Sequence, residues 1–124
     1  MTDRALHWFP VYVEKWLASV EIAQMDPAQE GAYFRLLCQA WGKGVDHPSL
    51  PDDDEKLAKL SRLHGRWKKL GPAVRAQFEA RDGRLYNQVL SDVWTEQQAK
   101  HKAASEKASR AAQARHKSTL SIAS

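Results

Sequence analysis

Apolar positions recur at helical spacing through most of the chain. Val13, Trp16, Leu17 and Val20 lie three and four apart, which predicts a short early helix. Ala23 to Met25 lacks that pattern and reads as a short extended piece. A clear helix start follows. Asp26 can cap, Pro27 suits the first helical position, and Gln29 stands three residues after the cap. Tyr33, Leu36, Leu37, Ala40 and Trp41 then form one apolar stripe, and Gly42 and Gly44 predict its end. After the loop VDHPSLP a second start is legible, with Asp52 as cap and Glu55 three residues on. Asp53 and Asp54 fall in the first turn, where the helix dipole favours negative charge, so the run DDDE is explained as a helix start rather than a metal site. Leu57, Leu60 and Leu63 are expected to face inward. His64-Gly65 predicts a turn, and a third helical segment begins near Arg66 with Trp67, Leu70, Val74 and Phe78 as its buried face. Pro72 has no amide hydrogen, so it is expected to kink this segment or restart it after Gly71.

The period then changes. In FEARDGRLYNQ, Asp82-Gly83 is a strong signal for a two-residue hairpin turn, and Phe78–Arg81 and Arg84–Asn87 read as its strands. Val89, Leu90, Val93 and Trp94 can anchor one more helix. From Thr95 to Lys117 the only apolar residues are alanines, which favour helix but bury little. The order helix, helix, turn, helix, hairpin predicts a mainly α fold with a small β-hairpin. It is the order of a winged helix, a helix-turn-helix plus a wing. That domain is expected over residues 1–90, a basic Ala-rich helical tail over 91–117, and a disordered end over 118–124. The piece at 23–25 is the expected third strand beside the wing.

Length and charge sharpen this picture. A chain of 124 residues is one domain, here with an appendage. No apolar run approaches the ~20 residues of a membrane span, and the N-terminus lacks the apolar core of a signal peptide. The single cysteine, Cys38, excludes an internal disulfide and points to a reducing, cytoplasmic setting. Residues 1–55 carry ten acids and four bases, whereas residues 56–124 carry fifteen bases and five acids. From Lys56 to Phe78 there are seven bases and no acid. A solvated face is the plain explanation of such a run. On a helix-turn-helix it gains a second one, because the second helix enters the major groove and Lys and Arg displace counterions from phosphate. That places Arg66, Lys68, Lys69 and Arg75 at duplex DNA, with Lys59 and Arg62 beside them and Arg81 and Arg84 flanking the wing turn. Residue types that read adenine or cytosine edges are almost absent from the run, so backbone-dominated binding is expected, with Arg66 the best candidate for a guanine contact. In the tail, Lys100, Lys102, Lys107, Arg110, Arg115 and Lys117 face only Glu96 and Glu106. This segment is either a basic arm that tracks DNA or an Ala-faced helix, through Ala104, Ala108 and Ala111, that packs on a second copy or a protein partner.

The chemistry of catalysis is thinly represented. The five histidines share no metal-ligand spacing, and no phosphate loop or nucleophile elbow is present. Cys38 lies beside the core stripe of its helix with no local histidine and is expected to be a small packed residue. Trp67 reads as core rather than as a stacking platform, and Trp8, Trp16, Trp41 and Trp94 likewise. No catalytic residue, cofactor or metal is therefore expected.

Four motifs in order add a resemblance. Phe9-Pro10-Val11-Tyr12 is an aromatic-Pro-x-aromatic entry, Glu30-Gly31-Ala32-Tyr33 lies on a helix, Leu50-Pro51-Asp52-Asp53 starts another, and an aromatic wing surrounds Asp82-Gly83. Over about residues 8–90 the chain resembles the YdaU-like domain found at the N-terminus of phage and prophage proteins. The resemblance implies a winged-helix-like fold, a role near phage DNA replication and a host-cytoplasmic location. It transfers no catalytic residue. Two further readings stand beside DNA binding: a protein-interaction module for replisome docking or dimerisation, and a phage regulator that inhibits a host nucleic-acid machine.

Overall fold

Two short helices lead into the fold. α1 (Val13–Ala18) and α2 (Val20–Ala23) part at Ser19, whose backbone is extended and whose Oγ accepts from the Ile22 amide at 3.2 Å. The early helix is present. Val13, Leu17 and Val20 are exposed and only Trp16 turns inward, stacking on Tyr33 with its Nε1 donating to Glu30 at 2.7 Å. The coordinates, a computed structural model, describe residues 8–43 and 47–123. The expected helix stop at Gly44 lies outside them.

Reciprocal capping opens α3 (Pro27–Lys43). The Gln29 amide donates to Asp26 Oδ1 at 2.7 Å, and the Asp26 amide donates to Gln29 Oε1 at 2.9 Å. The stripe read from the sequence, Tyr33, Leu36, Leu37, Ala40 and Trp41, is buried. Cys38 falls off that stripe and is exposed, not packed. Trp8 is also corrected: it is 57% exposed, and Phe9 is the aromatic that packs on Trp41, with ring centroids 5.2 Å apart.

β1 (Leu50–Pro51) precedes α4 (Asp54–Leu60). The cap of α4 is Asp53, one residue later than expected, and its carboxylate accepts from the Glu55 and Lys56 amides at 2.9 and 3.2 Å. A 3-10 turn (His64–Arg66) leads into α5 (Trp67–Arg75), which stays helical through Pro72 rather than breaking at Gly71. β2 (Glu79–Arg81) and β3 (Arg84–Tyr86) form the predicted hairpin. Its turn residues Asp82 and Gly83 both have positive φ, 50° and 77°. The third strand is β1, not the 23–25 segment, where the chain is helical to Ala23. The sheet is antiparallel in the order β1-β3-β2, with Leu50 opposite Leu85 and Ala80 opposite Leu85 on the other side. Leu50 and Leu85 are among the most completely buried side chains, with Leu36, Leu57, Val74 and Leu90. Each such side chain contributes ~1.5–3 kcal/mol by leaving water.

Asn87 joins sheet to helix. It is 3% exposed, and its Nδ2 donates to Tyr33 Oη and to the Gln77 carbonyl, both at 3.0 Å. Its Oδ1 accepts from the Leu90 amide at 3.0 Å, which caps α6 (Gln88–Ala123). Burial pushes the Tyr33 phenol above its ordinary pKa, so it stays a neutral hydroxyl partner for Asn87. The molecule is thus mainly helical with a small three-stranded antiparallel sheet. The chain divides into two compact units, Met1–Trp94 and Thr95–Ser124. In the second unit the described side chains from Ala99 to Ala114 are all exposed. Helix α6 runs to Ala123. No helix among the described residues is long and apolar enough to cross a membrane.

Candidate nucleic-acid interface

α4, the turn and α5 carry the acid-free run, and their packing decides which bases stay free. On α5, Trp67 and Val74 are buried and Leu70 is half-buried, so the face read as core is core. Gln29 Nε2 donates to the Leu70 carbonyl at 3.2 Å and ties α5 to α3. Lys68 and Lys69 are thereby left exposed, as are Lys56, Lys59, Arg62 and Arg66. None of these six side chains has a hydrogen bond or ion pair among the described residues.

Three other predicted contacts are engaged within the protein. Arg75 pairs with Asp52 and, at 3.5 Å, with Asp54. Asp54 Oδ1 also accepts from Trp67 Nε1 at 3.0 Å. The acidic run therefore has three structural uses: Asp53 caps α4, Asp52 holds Arg75, and Asp54 holds both Arg75 and the Trp67 ring. Arg84 is half-buried and donates to Ser49 Oγ at 3.0 and 3.1 Å and to the Ser49 carbonyl at 3.2 Å. Arg81 lies over the Tyr86 ring, 4.3 Å from its centroid, and pairs with Glu79 at 3.4 Å, but remains exposed at the hairpin tip. In the tail, Lys100 pairs with Glu96 at 3.9 Å, while Lys102, Lys107 and Arg110 are exposed. The side chains of Arg115 and Lys117 lie outside the described residues.

Sequence reasoning missed two features. Arg62 has φ 70°, in the left-handed region, directly after the C-cap residue Ser61 of α4. His64 has φ 49°, whereas Gly65 does not need positive φ. A left-handed residue after a helix is usually Gly or Asn, so a basic side chain there gives no pattern to read. The second feature is apolar. Trp8, Val11, Tyr12, Val13, Leu17, Val20, Phe34 and Val89 are exposed large hydrophobic side chains. The helical spacing of Val13, Leu17 and Val20 was legible; that this face stays exposed among the described residues was not.

The family model described as Protein of unknown function (DUF1376) matches residues 7–94. The chain belongs to this family. The matched segment ends where the first compact unit of the DUF1376 chain ends, at Trp94. The family description assigns no activity. No curated protein and no solved structure matches the chain.

Proposed function

We propose that this DUF1376 chain is a winged-helix DNA-binding domain of a phage or prophage replication-type protein, holding duplex DNA mainly by its phosphates. The fold reading is supported by the order α3, β1, α4, α5, β2, β3 and by the strand order β1-β3-β2. A helix-turn-helix is followed there by a hairpin that pairs back onto the strand before it. The phage setting rests on the motif resemblance alone.

One observation carries the DNA reading. Lys59, Arg62, Arg66, Lys68 and Lys69 are exposed and unpaired among the described residues, while Asp52, Asp53 and Asp54 are occupied by Arg75, a helix cap and Trp67, which leaves Glu55, beside Lys68, as the exposed acid of that run. Arg66 stands at the N-cap of α5, the end of a recognition helix that meets base edges. Arg81 extends the contact from the hairpin tip. Arg75 and Arg84 brace the domain instead of reaching the duplex. The left-handed backbone at Arg62 supports the same reading, since strained conformations at non-glycine residues gather at functional sites.

The test is fluorescence anisotropy of a labelled duplex across a salt series, with Lys68→Ala/Lys69→Ala beside the wild type. Each phosphate contact contributes ~0.9 to the slope of log K against log salt, so the double variant is expected to bind less tightly with a slope shallower by about 1.8. A wild type that ignores DNA at low salt, or a variant with the same slope, overturns the proposal.

A further inference from the structure

We infer that the chain pairs with a second copy of itself through the apolar face formed by its N-terminal segment, α1 and α3. Two hollows define this face. One, of about 470 Å³, is lined by Val11, Val13, Leu17 and Phe34 over a floor that includes Pro27 and Gly31. The other, of about 180 Å³, adds Tyr12 and Val89 and shares Val11 and Trp16 with the first. Leu17 projects beside the larger hollow and is 76% exposed.

Size selects the occupant. With ~150–250 Å² for a fully exposed large side chain, the six exposed apolar residues that line the hollows (Val11, Tyr12, Val13, Leu17, Phe34 and Val89) present on the order of 600 Å². That is the upper end of what a monomer leaves in water. Two such faces together bring about 1,200 Å² to a contact, the lower bound of a specific, stable interface. The relief fits an isologous contact, in which the same patch meets itself and each copy supplies both projection and hollow. Leu17 of one copy can enter the hollow over Gly31 of the other, where no side chain blocks it. The charges around the hollows are sparse. Three charged side chains line them: Glu30, bonded to Trp16; Lys15, over the Tyr12 ring; and Glu21, which accepts from Ser19 Oγ at 3.3 Å. A highly charged partner finds little to pair with there. None of Lys59, Arg62, Arg66, Lys68 and Lys69 lines either hollow, so pairing and nucleic-acid contact use different residues.

Sedimentation velocity and light scattering of the full chain without DNA, up to about 100 μM, test this over a range that detects Kd values near 10⁻⁴ M. A concentration-dependent dimer that survives raised salt is expected. Leu17→Glu should weaken it at least tenfold, and Val13→Ser should weaken it less. Both sites are exposed, so circular dichroism and the melting temperature should stay close to wild type. Lys68→Ala/Lys69→Ala should leave the dimer unchanged. A wild type that is monomeric throughout overturns the inference and leaves the face to a different protein. A Leu17→Glu chain that dimerises like the wild type overturns it too.

Discussion

At the residue scale, the Trp67 ring fills the space that a side chain at position 71 would need. A Cβ built on Gly71 would lie 2.4 to 2.8 Å from three ring atoms. The ring cannot easily give way, because it is 7% exposed and its Nε1 is bonded to Asp54. Gly71→Ala is therefore a contest between two terms. Alanine gains ~1 kcal/mol of helix propensity. Overpacking against a held ring costs ~1–3 kcal/mol. The clash is expected to win, with a lower melting temperature and a lower denaturant midpoint. A more stable variant would show that the ring moves freely. The stripe that buries Trp67 was plain in the sequence. The reason for Gly71 was not, because no pattern of polarity records where a neighbouring ring lies.

At the scale of elements, local signals were legible and non-local ones were not. The Asp26/Gln29 capping box and the Asp82-Gly83 turn are made within three residues, and both form as read. The cap of α4 moved from Asp52 to Asp53 because Arg75, twenty-three residues later, takes Asp52. The third strand moved from 23–25 to Leu50–Pro51, a segment too short to show any period. Among the predicted contacts, the free bases on α4 and α5 followed from helix faces. The loss of Arg75 and Arg84 to internal partners depended on contacts no spacing encodes. The turn between α4 and α5 gives a sharper test. A left-handed non-glycine backbone costs ~1–2 kcal/mol, part of which glycine recovers against its own entropy cost. Arg62→Gly should stabilise the protein by about 0.5–1 kcal/mol while weakening binding to duplex DNA. Thermal melts and anisotropy on one preparation measure both. Stability and binding that fall together would mean that Arg62 supports the fold rather than the interface.

At the scale of the whole molecule, the division between an acidic first half and a basic second half resolves into local jobs. Acids of the run Asp52–Asp54 cap α4 and brace it to α5, and the bases that stay unpaired among the described residues lie along these two helices and the turn between them. The charge count revealed the asymmetry; only packing separates bracing charges from available ones. One titrating group links the sheet to the last helix of the compact unit. His47 Nε2 is 2.8 Å from Ser91 Oγ, and its ring lies 5.7 Å from Tyr86 and 4.8 Å from Trp94 between centroids. Burial, and then the charge of Arg81, hold its pKa below the ordinary 6.5. The unfolded chain therefore binds this proton more readily than the folded one. Stability from this source is complete above about pH 6.5 and is lost as pH falls from there through the folded pKa. His47→Gln can keep a polar contact to Ser91 but cannot take up the charge. Thermal melts between pH 7.5 and pH 5.5 should show a smaller drop for His47→Gln than for the wild type. Equal drops would place the acid sensitivity on other groups and leave His47 as packing alone.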